Sequence, residues 1–348
     1  MQQLLLLGAL ATDGGRPDAP CQLSAIGDVD QAIYAFRGAS CAIMQALRNT
    51  SAAARCVAIE ALRLPDAPPL PLALVDERLK LTWLTEHHRS TSAILRACAH
   101  IRPKDPPLHS VHAEGLRPRL VRCASTAVEV AYVADQVEAW LSSHVTIGDG
   151  AFGSSHKRPL RCSDVAVVAF SHYELDAFEK ALAGKGLKCR RRKDVTSAGA
   201  DCADAVALGT IHSVKGWEAS LIFLVGLHRP TATISAGRAH GWRKFSLKPE
   251  DAATPEAIEE VQEQLRLLYV GATRARRFLS LSSAEKAADE RKQLALIQGG
   301  GDGTMALAQS QPAALQQLQG FAAEAECHTV GSESELPALR PASGTQLD

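Results

Sequence analysis

At 348 residues, 46% apolar and 22% charged, the chain can bury a sizeable core as one large or two smaller domains and is globular for most of its length. Lys plus Arg and Asp plus Glu both number 38, so no overall field drives it onto nucleic acid or a membrane, and any polyanion site has to be a local arrangement. Nine cysteines without a C-x-x-C pair argue against a zinc ribbon or a disulfide framework and for an intracellular compartment, and the apolar run at 4–7 lacks the length of a membrane span and the flanks of a secretory signal.

In chain order, residues 1–11 read as a helix and 14–20 as a Gly/Pro-rich loop leading to a short apolar strand at 23–26. Gly27 and Asp28 end that strand, so Gln31, Tyr34, Phe36 and Arg37 leave its carboxyl edge, where open α/β sheets bind ligands. An amide, two aromatics and an arginine within seven residues suit the joint sensing of a phosphate and a stacked base; a packed loop with two aromatics is the other reading. Residues 39–48 are apolar at helical spacing, and the prolines of 65–71 mark a domain joint.

Residues 78–84 alternate and give way to Thr85-Glu86-His87-His88-Arg89-Ser90-Thr91, then to a helix with Ile94, Ala97, Cys98 and Ile101 on one face. Ser90 or Thr91 is expected to cap it, leaving Arg89 near an anion-favouring N-terminus, or simply at the surface. His109 and His112 lack a third ligand and read as a solvated loop. Strands at 120–123 and 165–170, each followed by a helical pattern, indicate a parallel sheet covered on both faces. The basic run at 188–193 fits a solvated turn, a phosphate contact or a nuclear signal. A strand at 206–210 then runs into Thr210-Ile211-His212-Ser213-Val214-Lys215-Gly216-Trp217-Glu218 and a second apolar strand at 221–225, which again puts polar side chains at the carboxyl edge of the sheet. Residues 230–255 are polar and uneven, and a helix over 259–275 turns Leu265, Leu268 and Ala272 inward before a strand at 278–281. Beyond Ser283 the composition shifts to Ala, Gln, Gly and Ser, which predicts a largely disordered tail over 286–348.

Four of these stretches resemble, in order, motifs III to VI of the UvrD/Rep family of superfamily 1 DNA helicases. Residues 27–39 are similar to Gly-Asp-x-Asp-Gln-x-Ile-Tyr-x-Phe-Arg-Gly-Ala, 87–91 to Asn-Tyr-Arg-Ser-Thr, 210–218 to Thr-Ile-His-x-x-Lys-Gly-x-Glu, and 266–275 to Arg-Leu-x-Tyr-Val-x-x-Thr-Arg-Ala. The resemblance implies a RecA-like P-loop NTPase fold of class α/β: a remnant of the first motor lobe over 1–64, a second, 2A-like lobe over 72–285 and no inserted 2B subdomain. It implies that Gln31, Arg37, Arg89 and Arg274 act at the phosphates of ATP, with His88 in place of the adenine-stacking Tyr and Glu218 at the ribose. Tyr34 and Phe36 are then base platforms, and Thr210 and His212 face the backbone of single-stranded DNA.

No G-x-x-x-x-G-K-[ST] loop occurs in the sequence, and no Asp-Glu pair precedes the first helix, so the implied ATP and Mg2+ meet only part of their binding groups and no metal ligand is assigned. Two expectations follow. The chain is the truncated C-terminal part of an ATP-dependent 3′–5′ DNA helicase whose first lobe is supplied elsewhere, or a non-catalytic relic that binds single-stranded DNA or a repair partner.

Overall fold

The computed structural model describes residues 26–34, 42–48, 51, 53–54, 57–58, 80–148, 157–191, 204–227, 255–284, 320–342 and 345–347, with only the backbone at 255–261. The chain divides into two compact units, Met1–Leu84 and Thr85–Asp348. The helix expected over 1–11, the proline joint at 65–71, and Phe36 and Arg37 lie outside the described residues.

In the first unit a 3-10 helix, Val29–Gln31, is capped by Asp28, whose side chain accepts from the Asp30 N–H at 3.0 Å and from the Gln31 amide at 3.0 Å. Ile33 is buried, whereas Ile26, expected at the end of a strand, is exposed. Helix α1, Ala42–Leu47, falls within the stretch of helical spacing and buries Ala46 and Leu47.

The second unit is built on a seven-stranded parallel sheet. Its strands are β3 (Arg119–Cys123), β6 (Val165–Ala169), β7 (Cys189–Arg191), β8 (Val206–Thr210), β9 (Ala219–Leu224), β10 (Ala275–Ala284) and β11 (Glu326–Val330), in the spatial order β11-β3-β10-β9-β6-β8-β7. A short parallel pair, β1 (Glu86–His87) with β2 (His109–Ser110), and a small sheet of β4 (Thr146–Gly148), β5 (Lys157–Pro159) and β12 (Gln346–Leu347) stand apart from it.

Side-chain alternation makes both faces apolar. Val165, Val167, Ala169, Leu221, Phe223 and Val225 join one core with Tyr132, Val133, Val137 and Trp140 of helix α3 (Thr126–Ser142) and Leu175, Phe178 and Leu182 of helix α4 (His172–Gly184). The alternate residues Ala166, Val168, Ile222 and Leu224 are buried as well. Helix α5, Pro255–Ala272, packs on that second face, where a Cβ at Gly271 would sit 3.2 Å from the Leu224 side chain, and α2, Ser92–Ile101, packs against α5. A parallel sheet buried on both faces by crossover helices is the RecA-like architecture that the motifs imply.

The expected disordered tail is corrected for the residues the structure describes. Strand β11 pairs with β3 in register from Glu326 opposite Arg119 to Val330 opposite Cys123, and a 3-10 segment, Glu333–Leu339, packs on α3. Three arginines fasten this segment: Arg117 donates to the carbonyls of Ala323 and Glu324, Arg119 to that of Leu339, and Arg340 pairs with the buried Asp135. Its apolar anchors, Phe321, Ala325, Val330, Leu336 and Leu347, are spread too thinly through the sequence to show a period, so composition alone reads as disorder. Ending the chain at residue 319 should therefore lower the denaturation midpoint and promote self-association through the bared edge of β3; an unchanged midpoint in a monomeric product would contradict this packing.

Candidate functional site

The amino-terminal ends of β9 and β10 gather the site. Residues 88–91 are laid across them: the Ser90 hydroxyl donates to the Ala275 carbonyl at 2.6 Å and the Thr91 N–H to that of Arg276 at 3.0 Å. Thr91 occupies the cap position of α2, but its hydroxyl makes no capping bond. Instead the N–H groups of Ser92 and Ala93 donate to the carbonyls of Ala113 and Glu114, at 3.1 and 2.9 Å. The helix N-terminus expected to attract an anion beside Arg89 is thus closed by backbone carbonyls. Gly115, with φ of 69°, lets that loop approach, since a Cβ there would lie 2.5 Å from the Thr91 methyl.

Arg89 is held on two sides. Its Nε donates to Glu218 Oε2 at 2.8 Å and its Nη1 to the Thr273 carbonyl at 3.0 Å. The other carboxylate oxygen of Glu218 lies 3.4 Å from Arg276 Nη1. Arg274 is buried, and its Nε donates to the Val270 carbonyl at 3.0 Å and its Nη1 to that of Trp217 at 3.4 Å. Both arginines therefore sit at the C-terminus of α5, where unsatisfied carbonyls and the helix dipole favour cations. The ring of His88 is half exposed and 3.4 Å from Glu86 Oε2, while its carbonyl accepts from His112 Nε2 at 2.9 Å.

Thr210 and His212 lie elsewhere. Register pairs Thr210 with Ala169 at the carboxyl end of β6, whereas Leu221 of β9 pairs with Val165 at its start. At about 3.3 Å per residue, Thr210 and Glu218 are roughly 20 Å apart along the strand direction, on opposite edges of the sheet. The expectation of one carboxyl-edge site is corrected: the segment between them runs back across the sheet. It leaves β8 through a turn in which the Ser213 hydroxyl donates to the Thr210 carbonyl at 2.9 Å and accepts from the Thr210 N–H at 2.9 Å. Further along, Gly216 adopts a φ of 84°.

Of the residues singled out in the sequence, the structure brings Arg89, His88, Glu218 and Arg274 to one edge and Thr210 with His212 to the other. Gln31 and the half-buried Tyr34 belong to the first unit, where the Gln31 amide is tied to Asp28. Two residues were missed. Arg276 follows Arg274 by two positions, a basic repeat visible in the sequence, and shares its carboxylate with Arg89. His87 occupies the Asn position of the fourth motif, and its Nε2 is buried without a hydrogen-bond partner.

Burial, with the charges of Arg89, His112, Arg274 and His88, pushes His87 down to about 4 from its ordinary 6.5. The folded protein thus holds His87 neutral where the unfolded chain already binds a proton. Its contribution to stability is present above pH 6.5, is lost as the pH falls from 6.5 toward about 4, and changes no further below that. A His87→Asn variant should show a shallower loss of denaturation midpoint over this window than the parent chain; parallel curves would contradict the buried neutral imidazole.

A family model described as the UvrD-like helicase C-terminal domain matches residues 192–286, and one described as the UvrD/REP helicase N-terminal domain matches 1–52. The ATP-dependent DNA helicase UvrD2 of Mycobacterium tuberculosis strain H37Rv is 38% identical over 104 residues, as is the UvrD2 of Mycobacterium bovis. Each match covers 30% of this chain and 13% of the relative, so the chain aligns with a small part of those proteins. The solved C-terminal domain of a possible DNA helicase from Lactobacillus plantarum WCFS1 is 17% identical, over 58% of this chain and 90% of that one. Its TM-score of 0.35 is too low to carry weight. Two family models, the N-terminal one ahead of the C-terminal one, and the shared helicase relative support a place in the UvrD/Rep-like helicase family over the residues they match.

Proposed function

We propose that this chain supplies the second motor lobe of an ATP-dependent 3′–5′ DNA helicase. Arg89 and Arg274, with Arg37, act on the terminal phosphate of ATP, Gln31 senses it, His88 stacks on the adenine and Glu218 meets the ribose. Thr210 and His212 hold the backbone of single-stranded DNA, and Tyr34 and Phe36 stack on its bases. The observation that supports this reading best is the meeting of Arg89, Glu218, Arg274 and Arg276, from three separate stretches of sequence, at the amino edge of β9 and β10. Cations concentrated at one edge suit a transferred phosphoryl group, whose charge spreads over its oxygens. The segment 211–218 joins that edge to Thr210, giving a direct covalent route from nucleotide to DNA.

ATP fits the part of the site that is present. Arg89 and Arg276 keep part of their surface open to a phosphate, and Glu218 is exposed to solvent at their side. Among the described residues no three His, Cys, Asp or Glu side chains converge, and no Mg2+ ligand is assigned. Also among the described residues, no helix is long and apolar enough to cross a membrane.

Because the sequence has no G-x-x-x-x-G-K-[ST] loop, a second reading stands beside the first: a non-catalytic module that binds single-stranded DNA or a repair partner. Both readings expect the purified chain to hydrolyse ATP at background rate. Robust Mg2+-dependent, DNA-stimulated hydrolysis by the 348-residue product would overturn that expectation. They part on nucleotide binding. The motor-lobe reading predicts ATP binding that Arg89→Ala weakens about tenfold, the worth of a charge-assisted contact, whereas the binding-module reading predicts none. Single-strand affinity, read by fluorescence anisotropy, should fall by about 1 to 3 kcal/mol for each of Tyr34→Ala and Phe36→Ala, and unchanged affinity would remove their stacking role.

A further inference from the structure

Arg276 belongs to none of the motif positions carried over from the family, yet it shares one carboxylate with a residue that does. Glu218 offers Oε2 to Arg89 Nε at 2.8 Å and Oε1 to Arg276 Nη1 at 3.4 Å. The three side chains keep 28%, 42% and 25% of their surface for Arg89, Glu218 and Arg276, so an anion from solvent can reach them. Arg89 is also anchored through Nη1 to the Thr273 carbonyl, which fixes its guanidinium while leaving the Glu218 contact as the exchangeable one.

A carboxylate on Arg89 occupies the place an incoming phosphate needs, and two anions on one guanidinium repel each other. When a polyphosphate binds Arg89, Glu218 has to withdraw. The cation already at its other oxygen is Arg276. We propose that Arg276 is a positioning residue of the nucleotide site: it receives Glu218 when a polyphosphate displaces that carboxylate from Arg89. The inference rests on Arg89 as a phosphate contact. It adds that the resting site is filled by its own carboxylate, so that release of Glu218 to Arg276 is part of the cost of binding.

The test is a double-mutant cycle with inorganic tripolyphosphate, which has no ribose for Glu218 to meet, titrated calorimetrically into the full chain. Glu218→Gln removes the competing anion and should tighten binding about threefold, the worth of a partly exposed ion pair. Arg276→Gln removes the receiver and should weaken binding by a similar factor, about threefold, with Arg276→Lys restoring most of it. In the Glu218→Gln background, Arg276→Gln should have no effect, because there is no carboxylate left to receive. Equal weakening in both backgrounds would make Arg276 a direct phosphate contact or a structural support, and no effect in either would remove any role; both results overturn the inference while leaving Arg89 as a phosphate contact. No binding of tripolyphosphate by the parent chain would overturn the phosphate reading itself, and the inference with it.

Discussion

The C-terminus of α5 ends in carbonyls that its own backbone cannot fully satisfy, and the amino edge of the sheet is organised by how they are closed. The Thr273 hydroxyl donates to the Tyr269 carbonyl at 2.7 Å, Arg274 Nε to that of Val270, and Arg89 Nη1 to that of Thr273. Two of the three donors are guanidinium groups, so the closure that finishes the helix also concentrates positive charge at the negative end of its dipole. This explains how Arg274 is buried without being stranded: the carbonyls around it compensate for lost water. The Ser90 hydroxyl and the Thr91 N–H, bonded to the Ala275 and Arg276 carbonyls, hold residues 88–91 on β10, where Arg89 reaches Glu218.

A single crossing segment sets the relation between the two edges. Residues 211–218 leave the carboxyl end of β8 and return to the amino end of β9, two strands away in the sheet. A β-α-β crossover would normally need a helix to make that journey. Here a tight turn at 210–213, the positive φ of Gly216 and the bond from Arg274 to the Trp217 carbonyl make it in eight residues.

Much of this was legible in the sequence. The continuous apolar run at 165–169 and the paired runs around 206–225 gave a buried parallel sheet, and the motif order gave Arg89, Glu218 and Arg274 as neighbours. What stayed hidden depended on partners distant in the chain. Thr91 reads as a helix cap until Ala113 and Glu114 are seen to supply the acceptors from another loop. Strand β11 reads as tail because most of its residues face outward, and only pairing with β3 makes it a strand. The sheet edge was misjudged for Glu218 because a local pattern reveals where a strand begins but not in which direction the preceding segment returns.

We propose a nucleotide-facing amino edge distinct from a DNA-facing carboxyl edge. Its most direct test is nuclear magnetic resonance of the arginine Nε–Hε groups and the His212 ring in the full chain during titration with ATP. The account predicts that the Arg89 Nε signal shifts first and furthest, with Arg276 following and the His212 ring little changed. Perturbation confined to His212 and the start of α4, with Arg89 and Arg276 unmoved, would place the nucleotide on the other edge and contradict it.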